Sequence, residues 1–229
     1  MIEILFEDPY YLIVNKPSGM FVHPYKEESQ ERETLMKIVK EQTGHYVYPI
    51  QRLDRPVSGI VLFALSSEAA RKIQEEWSKD TTIKEYLCLA RGEIESEGIF
   101  NFALTDENGV KKEAITKYWP LEIKNRLTFC RVQIQTGRKH QIRRHFARRC
   151  HGIIGDTAHG KGKINQFFRD HYGLHRIFLH CHFLSFIHPY SNQIIDIKCP
   201  LPEELSNVLK KAGFEIRSDE IYSSLPTRD

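Results

Sequence analysis

No stretch of the 229 residues is apolar over the roughly 20 positions that a membrane-crossing helix needs. The amino-terminal MIEILFEDPYYLIVNK carries acids where a secretory leader would carry bases, so a cytoplasmic protein is expected. Cysteine is sparse. The five residues (Cys88, Cys130, Cys150, Cys181 and Cys199) are odd in number, widely spaced and free of any CxxC, which argues against a disulfide framework and against a zinc ribbon. Internal repeats and low-complexity tracts are also missing. So are the GxxxxGK[ST], GxGxxG, GxSxG and HExxH patterns, and with them the usual signals of nucleotide hydrolysis, dinucleotide chemistry, serine acyl transfer and zincin chemistry. Finally, no acid stands between Ile123 and Gly155.

What is present is ordinary for a globular protein: 41% hydrophobic and 28% charged residues, on a chain long enough to bury a core, so disorder is not expected. The formal net charge of +3 conceals a local excess. The acid-free window holds Lys124, Arg126, Arg131, Arg138, Lys139, Arg143, Arg144, Arg148 and Arg149, a positive field suited to a phosphate backbone. On charge alone, a solvated helix face with counter-charges supplied from elsewhere fits as well.

The apolar pattern predicts an opening hairpin from IEILFED and YLIVNKP, and a helix in ETLMKIVKEQTG stopped by Gly44. GIVLFAL is a short continuous apolar run, as in a central buried strand. Ser66 or Ser67 caps the following helix, with Ala70, Ile73 and Trp77 on its inner face. IKEYLCLARGEI returns as a strand, and KYWPLEIKNRLTFCRVQIQTG reads as two strands joined by a polar turn. RKHQIRRHFARRC is a helix with Ile142 and Phe146 inward and most bases outward. RIFLHCHFLSFIHP and QIIDIKCP close the strands, and PEELSNVLKKAG forms a capped last helix. Strands and helices mix without βαβ alternation, which predicts an α+β fold: a mixed, largely antiparallel central sheet flanked by helices, in one domain.

Histidines invite a metal reading. His140 and His145 lie five apart, roughly 140° out of phase at about 100° per helical residue, and cannot easily share one ion. His180 and His182 share a strand face, but no third ligand has a recognisable spacing, so no metal is expected. The carboxylate in YPIQRLDRPVSGIVLFAL is of a different kind. Asp54 sits between Arg52 and Arg55 on a loop that Pro56 constrains, directly before the apolar strand. Taken alone it is either a turn residue accepting a backbone N–H or a reactive group on a rigid mount.

QRLDRPVSG resembles the HRLDxxTSG signature of the RluA-type pseudouridine synthases, and the rest of the chain follows that family's order. NKPSGMFVHP is similar to its amino-terminal motif, KEYLCLARG to its K-x-Y strand and TGRKHQIRRHFA to its GRxHQ[LI]R motif. HGIIGDTAHG and RIFLHC resemble its HPIxGDxxYG and RLxLHA segments. The likeness runs from the first residues to about Pro200. It implies the pseudouridine synthase catalytic fold with an active-site cleft, a single domain over 1–229, and no S4-type RNA-binding domain in front.

The implied reaction is isomerisation of a uridine in RNA to pseudouridine. A tRNA uridine, uridine 65 of the T stem, is the first expectation, and ribosomal RNA or a fold that has lost catalysis are the alternatives. By resemblance Asp54 is the catalytic carboxylate, which either attacks C1′ or first removes a ribose proton, and Arg143 is its counter-charge. Tyr86 would stack on the extruded uracil with its hydroxyl near C5, and Leu179 would wall the uracil pocket. Arg52 would fill the gap left by the flipped base. Arg138, Lys139 and Arg144 would contact phosphates, while Arg55 faces solvent. Gln51 and Val57 stand where the family usually has His and Thr. The resemblance implies no metal or organic cofactor, an RNA partner, no membrane, no obligate protein partner and a monomer.

Overall fold

A computed structural model of the chain describes residues 1–24, 33–77, 79–215 and 221. In chain order the described elements begin with β1 (Glu3–Glu7), β2 (Tyr11–Lys16), α1 (Leu35–Thr43), β3 (Tyr48–Pro49), β4 (Ser58–Ala64) and α2 (Ser67–Trp77). There follow β5 (Ile83–Arg91), β6 (Gly98–Phe100), β7 (Leu104–Thr105), β8 (Lys111–Lys112), β9 (Thr116–Lys124) and β10 (Leu127–Ile134). The last are α3 (Gln141–Arg148), α4 (Gly162–Tyr172), β11 (Leu179–Ile187), β12 (Ile194–Lys198) and α5 (Glu203–Lys211). This is the expected α+β class with a mixed, largely antiparallel sheet. Two compact units are distinguished: Met1–Tyr86 with Leu179–Pro200, and Leu87–Phe178 with Leu201–Asp229. Among the described residues no helix is long and apolar enough to cross a membrane.

In the first unit β1 and β2 form the expected antiparallel hairpin, and Asp8 builds its turn by accepting the N–H groups of Tyr10 and Tyr11 at 2.8 and 2.6 Å. The strand order is β1-β2-β4-β11-β5, with β3 also on β4 and β12 on β11. Every residue of β4 is buried, as its unbroken apolar run requires. β11 runs parallel to β4, pairing His180 with Ser58 and Cys181 with Gly59, whereas β2 and β3 run antiparallel to β4. The close approach explains Gly59. Its φ is +113°, and a Cβ there would lie 2.1 Å from the Cys181 carbonyl oxygen. Thr34 caps α1 and Gly44 ends it at φ 75°. Ser66 caps α2 by accepting the Ala69 N–H at 3.1 Å. On α2 Ile73 is buried as expected, but Ala69 is buried beside it in place of Ala70, which with Trp77 is half-buried. Much of the chain between the hairpin and α1 lies outside the described residues.

In the second unit the order is β5-β10-β9-β6. Asn125 and Arg126, both at positive φ (51° and 59°), make the two-residue turn of the β9–β10 hairpin. Its core gathers Leu87, Leu89, Phe129, Phe168, Phe178 and Leu209. α3 starts at Gln141, three residues later than the basic pattern suggests, because His140 adopts the left-handed conformation at φ 54°. α4 was not anticipated: only Asn165 and Phe168 of its eleven residues are buried and no side chain caps it, so it carries little sequence signal. Nor were β3, β6 and the two-residue strands of the β7–β8 arm. α5 begins after Pro202 without the expected side-chain cap, with Glu203 and Glu204 in its first turn and Lys210 and Lys211 in its last, which suits the helix dipole.

Candidate active site

The loop that carries Asp54 is braced by the one that follows β2. The Gly19 N–H donates to the Arg55 carbonyl at 2.8 Å, Arg55 Nε donates back to the Gly19 carbonyl at 2.9 Å, and Ser18 Oγ donates to the Pro56 carbonyl at 2.8 Å. Beneath them the fully buried Lys16 donates from Nζ to the carbonyls of Pro17 (2.9 Å), Met20 (2.8 Å) and Arg55 (3.3 Å). Asp54 itself is half-buried, its carbonyl closing a turn with the Val57 N–H at 3.0 Å. Arg55 departs from expectation: it is exposed, yet it ties two loops and lies 5.4 Å from the Phe21 ring. Gln51, in the place of the family's histidine, donates to the Ile60 carbonyl at 2.8 Å, and Val57 is buried, so both departures are absorbed into packing around β4.

Tyr86 is buried on β5 at 6% exposure, and its hydroxyl is held well above its ordinary range. Burial is the main cause, followed by the Cys181 thiol and the charge of Asp54. Asp54 and Tyr86 are thus electrostatic neighbours, and the phenol stays protonated at neutral pH. Burial also raises Cys181 and lowers Lys84 on the adjoining strands. Leu179 opens β11 at 3% exposure. Arg52 is exposed, and its charge, after burial, keeps His23 below the ordinary histidine range. Ser58 donates to His180 Nδ1 at 2.8 Å and His180 Nε2 donates to the Cys199 carbonyl at 3.2 Å, a buried pairing that ties β4 to β11.

In the second unit α3 is positioned by its first residue. Gln141 Nε2 donates to the Ile115 carbonyl (2.9 Å) and to Thr116 Oγ1 (3.0 Å), and its Oε1 accepts from Thr136 Oγ1 (2.7 Å) and the Arg138 N–H (3.0 Å). Arg143 is buried, not a surface contact. Its Nε and Nη2 donate to Asp156 Oδ2 and Oδ1 at 2.9 and 2.8 Å, a bidentate pair. Arg143 and the backbone N–H groups of His159 and Ala158 hold the Asp156 carboxyl below its ordinary range although burial pushes it up.

The bases expected at phosphates all reach the β7–β8 arm or its flanks. Arg138 Nε donates to the Glu113 carbonyl at 2.9 Å, Lys139 pairs with Glu107, and Arg144 Nη2 donates to the Thr105 carbonyl at 2.9 Å. Of the nine bases in the acid-free window, Arg131 is buried 4.6 Å from the Trp119 ring. His140 precedes α3 rather than lying on it, and its Nδ1 meets His159 Nε2 at 2.9 Å. His145 points instead to Thr116 and the Phe102 carbonyl. Sequence reasoning gave Lys16, Ser18, Gln141 and Asp156 no role. All four stand inside quoted motifs, but their partners are distant in sequence or are backbone atoms.

A half-buried carboxylate on a braced loop, a protonated phenol beside it and an exposed basic surface suit chemistry on a nucleic-acid base better than hydrolysis of a small molecule. The chain is 37% identical over 224 aligned positions to tRNA pseudouridine synthase C of Vibrio parahaemolyticus, covering 88% of this chain and 91% of the relative. It is 35% identical over 237 positions to tRNA pseudouridine synthase C of Haemophilus influenzae, covering 94% and 99%. Among solved structures, human RNA pseudouridylate synthase domain containing 4 superposes with a TM-score of 0.76 over 93% of this chain and 94% of that one at 20% identity. Human RNA pseudouridylate synthase domain containing 1 does so at 0.77 over 100% and 97%, also at 20% identity, and both share the fold. The family model described as RNA pseudouridylate synthase matches residues 10–148, so with these relatives the chain belongs to the RNA pseudouridylate synthase family.

Proposed function

We propose that the protein isomerises a uridine of tRNA to pseudouridine, at uridine 65 of the T stem, with Asp54 as the nucleophile acting on a flipped-out nucleotide. The observation that carries this reading is Asp54 on its braced loop with the protonated Tyr86 as electrostatic neighbour. The names of the relatives support tRNA as substrate. In the reaction the N1–C1′ bond breaks, the uracil turns, C5 bonds to C1′, and the C5 proton is lost while N1 gains one, so atoms and electrons balance without a co-reactant. An ionised carboxylate stabilises or traps the electron-poor C1′. Tyr86, as a neutral phenol, stacks on the uracil with its hydroxyl near C5, and the proton that C5 releases leaves to water.

Arg143 as the counter-charge of Asp54, Arg52 in the vacated stack and Leu179 against the uracil rest on the family resemblance, as do phosphate contacts from Arg138, Lys139 and Arg144. The family model spans residues of both compact units, which supports reading 1–229 as one catalytic domain. The test is to incubate the protein with unmodified tRNA and ribosomal RNA transcripts and map pseudouridine by carbodiimide-adduct primer extension. A stop in the tRNA T stem is expected; stops only in ribosomal RNA would reassign the substrate, and none in either would overturn the isomerase. Asp54→Asn is expected to bind tRNA as wild type does and to form no product. Near-normal turnover by that variant would remove Asp54 from the chemistry.

A further inference from the structure

We propose that Cys181 is a positioning residue for this reaction, fixing the direction of the Tyr86 hydroxyl; the proposal rests on the isomerase reading above. RIFLHC carries this cysteine where the family's RLxLHA segment has alanine, which offers no polar atom. β11 lies between β4 and β5, and Cys181 pairs with Gly59 of β4. Its backbone is held closely there, because a Cβ on Gly59 would stand 2.1 Å from the Cys181 carbonyl oxygen. Alternation along β11 puts the fully buried Cys181 on the same face as Leu179, and alternation along β5 puts Lys84 and Tyr86 on one face. The thiol and the phenol meet across these neighbouring strands as hydrogen-bond partners, and the Ile60 N–H also donates to the sulfur.

Both partners are neutral. Burial outweighs the nearby charge of Lys84 and keeps Cys181 a thiol, as it keeps Tyr86 a phenol, and Lys84 Nζ is itself turned to the Trp77 carbonyl at 3.4 Å. A phenol is a stronger donor than a thiol, so the single hydroxyl hydrogen of Tyr86 points at Sγ. The oxygen then meets the uracil through its lone pairs, and it cannot turn its hydrogen toward the substrate without losing the bond to sulfur. With alanine in this place nothing on β11 would hold that hydrogen. A methyl-sized filler would satisfy the packing, whereas a buried hydroxyl needs a partner, and a group beside a reacting base needs that partner in one fixed direction.

The test compares Cys181→Ala, Cys181→Ser, Tyr86→Phe and the double variant Cys181→Ala/Tyr86→Phe, by single-turnover and steady-state kinetics on a tRNA transcript, with binding and thermal unfolding measured alongside. Cys181→Ala is expected to lower kcat about tenfold, the worth of one aligned hydrogen bond, with KM and tRNA affinity unchanged. Cys181→Ser restores an acceptor at the same place and should bring kcat back to within a few-fold of wild type, a rescue that lost packing alone would not produce. The double variant should be no slower than Tyr86→Phe, the signature of one residue acting through the other. A readout free of turnover is the S–H stretching band of Cys181, isolated as the infrared difference between wild type and Cys181→Ala, and again between Tyr86→Phe and the double variant. Loss of the phenol oxygen should shift that band. Wild-type kcat in folded Cys181→Ala, or a band that Tyr86→Phe leaves in place, would overturn the proposal while leaving the isomerase intact. A wild-type protein that converts no uridine in any transcript would overturn the isomerase reading and this role with it, while the band would still report the hydrogen bond.

Discussion

At the scale of single residues, the site depends on polar atoms satisfied by the backbone. Lys16 places a charge where no solvent reaches it, and three carbonyls divide the cost of burying it. Replacing it with Met keeps the volume and orphans those acceptors, so Lys16→Met is expected to lose about 3 kcal/mol of stability in urea unfolding. Turnover per folded molecule should fall as well, because the Asp54 loop loses its floor. An unchanged unfolding midpoint would show that water replaces the ammonium. Such partnerships are hard to read in a sequence. NKPSG identifies a turn, but not that the lysine folds back on the carbonyls of its own turn and on that of Arg55, thirty-nine residues away. Asp54 was legible only through its motif, since on spacing alone a turn-capping aspartate looks the same.

At the scale of elements, α3 and the β7–β8 arm explain why the basic window is not simply a row of free cations. Arg138 and Arg144 each donate to a carbonyl of the arm or its flanks, Arg148 Nη1 donates to the Ala103 carbonyl at 3.3 Å, and Lys139 pairs with an acid of the arm. Arg144 therefore has a docking contact as well as a charge to offer RNA. Arg144→Ala is expected to weaken tRNA binding and to reduce the slope of log K against log salt concentration by about one. A slope equal to wild type, with weaker binding, would mean that Arg144 only docks the arm. The arm itself escaped the sequence reading because two-residue strands have no usable period. α3 was legible from Ile142 and Phe146, but its start was not. A left-handed His140 is a choice made by contacts with the Gly155–Gly160 turn.

For the whole molecule, buried titratable groups set the response to acid. His145 is fully buried, and burial, aided by the charges of Arg148 and Arg144, lowers its pKa against the backbone bond to Phe102 that raises it. Below its ordinary value of 6.5 the unfolded chain takes up a proton that the folded chain resists, so this contribution is complete above that pH and is lost below it. Asp156 is also lowered, from 3.8, so its contribution persists to lower pH and disappears as its folded-state carboxyl protonates. Urea unfolding followed from pH 7 to pH 3 is expected to show one decline beginning near 6.5 and a second below about 4. His145→Gln, which keeps an acceptor for Thr116 and a donor for the Phe102 carbonyl, should flatten the first; a wild-type midpoint constant from pH 7 to pH 5 would exclude it. The sequence by itself determined the α+β class, the main strands and helices and the family, and singled out Asp54 as the candidate carboxylate, because these depend on apolar period, turn chemistry and short ordered motifs. Only the tertiary structure decided that Arg143 is buried on Asp156, that Arg55 and Lys16 brace the Asp54 loop, and that the bases of α3 hold an arm, because each depends on atoms brought together across long stretches of chain.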